Sequence, residues 1–386
     1  MKETITILLF SLFVTNLFGQ VDSIYGDDNT TLKSVFSYKM VNGKKVKDGE
    51  YFKYHFNGKE KQTGKYVNGK KEGTWTTFSP TGKLLTRYNY SNDVLNGNYT
   101  IFNNNKAKEK GNYKDDLLDG FYEIYYNNGE LKERIPYKNG QQNGTAKLYY
   151  PNGKIQMLVQ MQGDSIFGTY QFYHENGTLK EETIRHGTKN VDFYKRYHKN
   201  EKIAQHYLYN KNNEIEGDYL TFHENGNPEI VATYNANNPV GKWQKFHPNK
   251  VIEVDGQYDE NGKRTGLWKA YYENEFLKSK GEYIDDVFDG EWTIYYNNNQ
   301  KKQVGNYKKG QAQGEFMFYY PNGIVAKKGN YINDKENGLW KYFQTDGTLY
   351  MTGEMKDGLY HGSIKFYNTD GSIKREGKFA NGEKVE

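Results

Sequence analysis

The chain has 386 residues, with 53 basic and 48 acidic side chains and a formal net charge of +5. It has no cysteine, which excludes a disulfide framework, a thiol nucleophile and a lipobox acylation site. Only six of the basic residues are Arg, and the Lys are scattered among the acids, which describes a solvated mixed-charge surface and excludes a nucleic-acid groove.

Met1 to Gly19 reads as a secretory signal peptide, with Lys2 near the start and an apolar run from Ile5 to Phe18. That run is shorter than the roughly 20 residues needed to span a bilayer, so cleavage before Gln20 is expected, with no transmembrane anchor afterwards. The expected location is secreted, or periplasmic within the cell envelope. Residues 20–37 lack any repeat and are expected to form a loose lead-in. Tyr38 with Val41-Asn42-Gly43 mimics Tyr66-Val67-Asn68-Gly69, which predicts a capping half unit.

From there to residue 386 one pattern recurs. Gly49, Gly73, Gly97, Gly120, Gly144, Gly168, Asp192, Gly217, Gly241, Gly266, Gly290, Gly314, Gly338 and Gly362 open 14 units spaced 23 to 25 residues apart, a repeat array. With the opening residue as position 0, position 2 holds all five Trp, as in Trp75, Trp268, Trp292 and Trp340. Position 5 is aromatic in every unit, from Tyr54 and Phe78 to Phe343 and Tyr367, and this regularity marks it as the expected core column. Position 9 is Gly in nine units, usually after Asn or Asp, as in Asn57-Gly58 and Asn322-Gly323. Asn-Gly between aromatic runs predicts a two-residue type I′ hairpin turn. A second aromatic follows near position 17, as in Gly64-Lys65-Tyr66 and Gly329-Asn330-Tyr331, so each unit reads strand, turn, strand, loop. Strict alternation would place positions 2 and 5 on opposite faces. Either both faces carry aromatics or a bulge at the repeated Gly turns one column inward. The weakest unit is Asp192 to Tyr209, which lacks the leading Gly and turns through Asn200-Glu201.

The consensus Gly-x-Trp/Tyr-x-x-Tyr-x-x-Asn-Gly-x-Leu, followed by Gly-x-Tyr-x-x-Gly, resembles the MORN-repeat variant family, which includes the YwqK-like antitoxins of bacteria. Gly64 to Trp75 matches it best, and the resemblance covers roughly residues 38 to 386. It implies an all-β fold, an elongated single-layer solenoid of about 14 stacked antiparallel β-hairpins. Two strands per unit would give 28 strands and a length on the order of 130 Å before twist. Choline-binding repeats and tyrosine-aspartate repeats share some of these features but fit the unit less well.

Chemistry is sparse. His55, His174, His198, His223 and His247 all fall at position 6, where other units place Tyr126, Tyr150, Tyr272, Tyr296 and Tyr320. A column that alternates His with Tyr is an amphipathic position rather than a metal site. His174-Glu175 and His223-Glu224 lack the second His of a zinc-protease helix. The Gly-rich stretches Gly58 to Lys65 and Gly256 to Lys263 have the wrong spacing for a phosphate loop. Acidic pairs such as Asp115-Asp116 and Asp285-Asp286 sit where Asx residues favour turns.

The expectation is therefore no enzyme, no cofactor and no metal, but an exported repeat scaffold that binds a protein or a polysaccharide of the envelope. The candidate contact column is Tyr126, Tyr150, His174, His198, His223, His247, Tyr272, Tyr296 and Tyr320. Two alternatives are a carbohydrate or cell-wall ligand held between repeats, and an intracellular antitoxin.

Overall fold

A computed structural model describes residues 20–28 and 30–386, so the expected signal peptide, residues 1–19, lies outside the described residues. The described chain is all-β, with 33 strands and no helix. The described chain divides into two compact units, the first running to Gly168 with Glu175–Gly177, the second Thr169–His174 with Thr178–Glu386.

Within each unit, consecutive strands pair antiparallel. In the second unit, Val287–Tyr295 pairs with Lys301–Lys308, which pairs in turn with Gln311–Tyr319. In the first unit, Lys44–Tyr54, Glu60–Val67 and Lys70–Phe78 repeat the arrangement. Twenty-eight strands are the two expected per unit. The other five are two short extensions beside Gly bulges, a final pair of residues at Glu383–Lys384, and the strands Gln20–Tyr25 and Leu32–Val41. Residues 20–37 are thus not loose. Gln20–Tyr25 pairs with Leu32–Val41, which pairs with the first full unit and brings Phe36 opposite Tyr51.

The turns differ from the expectation in an instructive way. At Tyr126 to Glu130 the Gly129 N–H donates to the Tyr126 carbonyl and the Tyr126 N–H to the Glu130 carbonyl. Gly129 alone has positive φ (99°), while Asn128 does not. This is a type I turn closed by a left-handed bulge residue, the three-residue connection, not the two-residue type I′ turn. The type I′ geometry occurs at the other end of the unit, where both central residues have positive φ: Asn68 and Gly69 (52° and 82°), Asp285 and Asp286 (50° and 71°), Asn333 and Asp334 (48° and 65°). Asn and Asp tolerate this region better than other side chains, which accounts for the acidic pairs.

The opening Gly of each unit also has positive φ, 77° at Gly290, and the pairing register breaks beside it: Lys280 faces Thr293, whereas Glu282 faces Asp289. It is a bulge repeated once per unit. Asp192 adopts the same conformation at 71°, so the unit without Gly still forms its strands, Lys189–Tyr197 and Ile203–Tyr209.

Both faces carry aromatics, and the buried column is position 2, not position 5. Trp75, Tyr99, Trp268, Phe316 and Trp340 are buried, whereas every residue of position 5 is only half-buried. The reason lies across the strand pair. From Trp243 to Trp340 each position-2 ring faces a Gly on the partner strand, Trp292 opposite Gly305 and Trp340 opposite Gly353, and an aromatic of the next unit lies over that Gly. The position-17 Tyr then closes edge-on, with Tyr331 5.3 Å from Trp340 at 89° and Tyr66 4.9 Å from Trp75 at 82°. Edge-to-face pairs add about 0.5–1.5 kcal/mol each beyond burial. Position 5 points to the other face and keeps its polar edge in use, as in Tyr125 donating to Glu123 (2.6 Å) and Tyr197 donating to Glu182 (2.7 Å). Its regularity reflects an amphipathic role, not burial.

Candidate functional site

The position-6 column lines the edge formed by the type I turns. Its polar atoms are spent on the array itself. Tyr272 Oη donates to the Tyr295 carbonyl (2.9 Å), Tyr296 to Tyr319 (2.8 Å), Tyr320 to Phe343 (2.9 Å) and Tyr126 to Tyr149 (2.7 Å). His198, His223 and His247 use Nε2 in the same way, 2.7, 2.8 and 3.1 Å from the carbonyls of Phe222, Phe246 and Tyr271. A carbonyl only accepts, so each of these imidazoles carries its proton on Nε2. Phenol and imidazole interchange here because each offers one donor at the end of a flat half-buried ring. Tyr150 occupies the same place, with burial and nearby Glu175 raising its pKa. His174 is the exception among the imidazoles: its Nε2 is buried without a partner, and burial lowers its pKa. The candidate contact residues therefore form a half-buried seam between units and not an open platform. No group of three or more potential metal-binding side chains occurs among the described residues.

Two residues farther on runs an asparagine ladder. The Asn322 Oδ1 accepts the Ile324 N–H within its own turn (3.1 Å), and its Nδ2 donates to the Thr345 carbonyl of the next unit (2.8 Å). Asn57, Asn225, Asn274 and Asn298 repeat the inter-unit bond. The opposite edge has an acidic counterpart. The Asp286 N–H donates to the Arg264 carbonyl while its Oδ1 accepts the Arg264 N–H, and Asp93 with Lys71 and Asp334 with Ala312 make the same reciprocal pair. These carboxylates are structural acceptors. Hydrogen bonds from the Arg264 backbone and side chain hold the Asp286 carboxyl below its ordinary value.

The inner face, which carries the position-2 rings, also houses cations. Lys47 Nζ lies 5.1, 4.8 and 4.9 Å from the rings of Phe36, Tyr51 and Tyr66, and burial lowers its pKa. Lys71 sits over Trp75 and Tyr90, and Lys327 over Phe318 and Trp340. Ring faces attract these ammonium groups and offset part of their lost hydration.

The outer face is where side chains are left without such duties. In the second unit it presents Leu267, Ile284, Val287, Ile332, Leu339 and Leu359, each between 41% and 53% exposed. Register sets Ile284 directly opposite Val287, whereas Leu267 faces Glu282 and Leu339 faces Glu354. Lys335 and Lys356 flank the same turns. Sequence reading missed this set because an isolated aliphatic beside a turn looks unremarkable until register sets one opposite another.

The sequence pattern described as MORN repeat variant matches residues 71–92, 118–139, 142–162, 168–184, 215–236, 264–285, 288–309 and 312–333. None of the curated protein sequences matches the chain. Among solved structures, the chain is similar to the crystal structure of TcdB2-TccC3-Cdc42, at 11% identity over 89% of this chain and 24% of that chain, with a TM-score of 0.14. It is also similar to the Photorhabdus luminescens Tc holotoxin pore, at 12% identity over 94% of this chain and 23% of that chain, with a TM-score of 0.13. The chain thus spans about a quarter of the length of these structures, and at such TM-scores the likeness carries no argument. The eight matched segments are similar to the MORN repeat variant, and each contains the opening Gly with positive φ described above.

Proposed function

We propose that this array is an exported, non-enzymatic scaffold that binds a protein partner along the outer face of its second unit. The observation that carries the reading is the set of six half-exposed aliphatic side chains from Leu267 to Leu359, interspersed with Glu282, Glu354, Lys335 and Lys356. Contiguous exposed apolar surface with a polar rim marks protein interaction sites. The seam and ladder residues serve the array, so the outer face is the surface with side chains to offer. The aliphatic side chains fall in two groups, Leu267 with Ile284 and Val287 and Ile332 with Leu339 and Leu359, so weak contacts to an extended partner add through avidity. Export rests on the apolar run from Ile5 to Phe18 behind Lys2.

The test uses native cells. The full-length chain is crosslinked in the envelope fraction, its N-terminus is sequenced, and Leu267→Lys with Leu339→Lys is compared with the parent. A mature start near Gln20, and a crosslinked protein that disappears in the double variant, support the reading. An intact Met1 in the cytoplasm with a co-purifying toxin would establish the antitoxin reading instead.

A further inference from the structure

The inner face is sealed unevenly. Around Trp340 and Phe316 the same-face positions 4 and 13 hold Phe318, Tyr342 and Lys327, and both rings are essentially inaccessible. One to three units earlier the corresponding residues are Val254, Ala270 and Ser279, and a cavity of about 360 Å³ opens over Trp243, Trp268 and Trp292. The difference follows from side-chain volume alone, since the backbone register is the same in both places. Volumes of this size lie at the lower end of small-ligand sites.

The rings in this groove are held in place before any ligand arrives. Trp268 Nε1 donates to the Thr265 carbonyl (3.2 Å) and Trp292 Nε1 to the Glu282 carbonyl (3.0 Å), so ring faces are what they offer. Trp243 and Trp268 lie 6.0 Å apart at 30°, splayed side by side. Two cations line the groove, Lys269 and Arg264, and the second is already answered: Arg264 Nε is 3.0 Å from Asp286 Oδ1, its Nη1 donates to Tyr283 Oη (2.9 Å), and its guanidinium lies 4.2 Å from the Tyr283 ring. A quaternary ammonium would meet that guanidinium without a carboxylate lining the groove, and an anion would compete with Asp286.

We infer that the groove over Trp243, Trp268 and Trp292 is a binding site for a neutral glycan whose pyranose rings present apolar C–H faces to the indoles. A neutral sugar with equatorial hydroxyls has one flat apolar face to stack on a ring and a hydroxyl rim for the Ser279 hydroxyl and for water. The site is on the inner face and does not rest on the outer-face reading, which can fail independently.

The experiment titrates the full chain with cellohexaose, N-acetylchitohexaose and choline while following Trp emission and near-UV circular dichroism. A saturable blue shift with at least one hexaose and none with choline is expected. Ala270→Phe and Ser279→Gln fill the groove with side chains that neighbouring units already hold at those positions, Phe318 and Gln303. Each should weaken glycan binding on the order of tenfold or more with the near-UV signal retained. The double variant Leu267→Lys with Leu339→Lys should leave glycan binding unchanged while abolishing partner crosslinking, which separates the two readings. No shift with either hexaose, binding of choline instead, or undiminished affinity in both filled variants would overturn the assignment.

Discussion

Gly329 lies face-on beneath the indole of Trp340, so close that a Cβ at residue 329 would fall 2.2 Å from Cδ2 of that ring. The same relationship joins Gly64 to Trp75, Gly256 to Trp268 and Gly305 to Phe316. It is the contact by which one hairpin recognises the next. Gly329→Ala should therefore cost about 1–3 kcal/mol or more through overpacking. Denaturant unfolding checks the loss, and the cause is checked by Trp340→Leu in the same chain, where adding the Ala should cost much less.

Burial separates the tryptophans energetically. Trp340 is wholly buried, so Trp340→Ala should cost about 3–5 kcal/mol, whereas half-buried Trp292→Ala should cost clearly less. Parallel urea titrations of the two variants give the ranking, and equal losses would show that the groove over Trp292 is closed in solution.

Some units pay for an imperfect turn. Glu275 and Lys250 stand at the left-handed bulge position with φ of 69° and 71°, where nine other units have Gly. Glu275→Gly should raise stability by a few tenths to about 1 kcal/mol, the relief of backbone strain less the extra chain entropy. Gly323→Ala should do the reverse. Midpoints of thermal unfolding read both.

Asn322 serves two turns at once, accepting within its own and donating to the carbonyl of Thr345. Asn322→Ala should cost about 1–2 kcal/mol. Asn322→Asp keeps the acceptor and removes the donor, so it should speed amide hydrogen exchange in the neighbouring turn more than in its own.

Alkali should loosen the array. Burial is the main cause that pushes Tyr194 and Tyr331 up to about 12, with Glu181 and Glu336 adding to it. A folded-state value above the ordinary one near 10 favours the neutral phenol. The stabilisation is therefore complete below about pH 10 and is lost as pH rises through about 12. Unfolding followed by tyrosinate absorbance should be cooperative in that window, and free titration near pH 10 would contradict the packing of these rings.

Much of the fold was legible in the sequence because its causes are local. Glycine every 23 to 25 residues, paired aromatic columns and Asx-rich turns state a hairpin repeat without reference to anything distant. Even the unit at Asp192 keeps its place, since an Asp can take the bulge conformation. The assignment of turn types failed because Asn-Gly satisfies two different turns. Asn128 lacks the positive φ that a type I′ turn needs, and this depends on the pairing of the flanking strands.

What only tertiary structure decided is which ring meets which neighbour. Position 5 is the more regular aromatic column, yet position 2 is the one buried, because from Trp243 to Trp340 it faces a Gly on the partner strand and an aromatic of the next unit packs over that Gly. Seven of the position-6 residues, Tyr126, His198, His223, His247, Tyr272, Tyr296 and Tyr320, form a seam between units, since the carbonyl that each of these reaches belongs to the following hairpin. The groove over Trp268 exists because Val254, Ala270 and Ser279, distant in sequence, are small at points that converge on one face. Periodicity determines the hairpin, and the register between hairpins determines which surfaces remain free to bind.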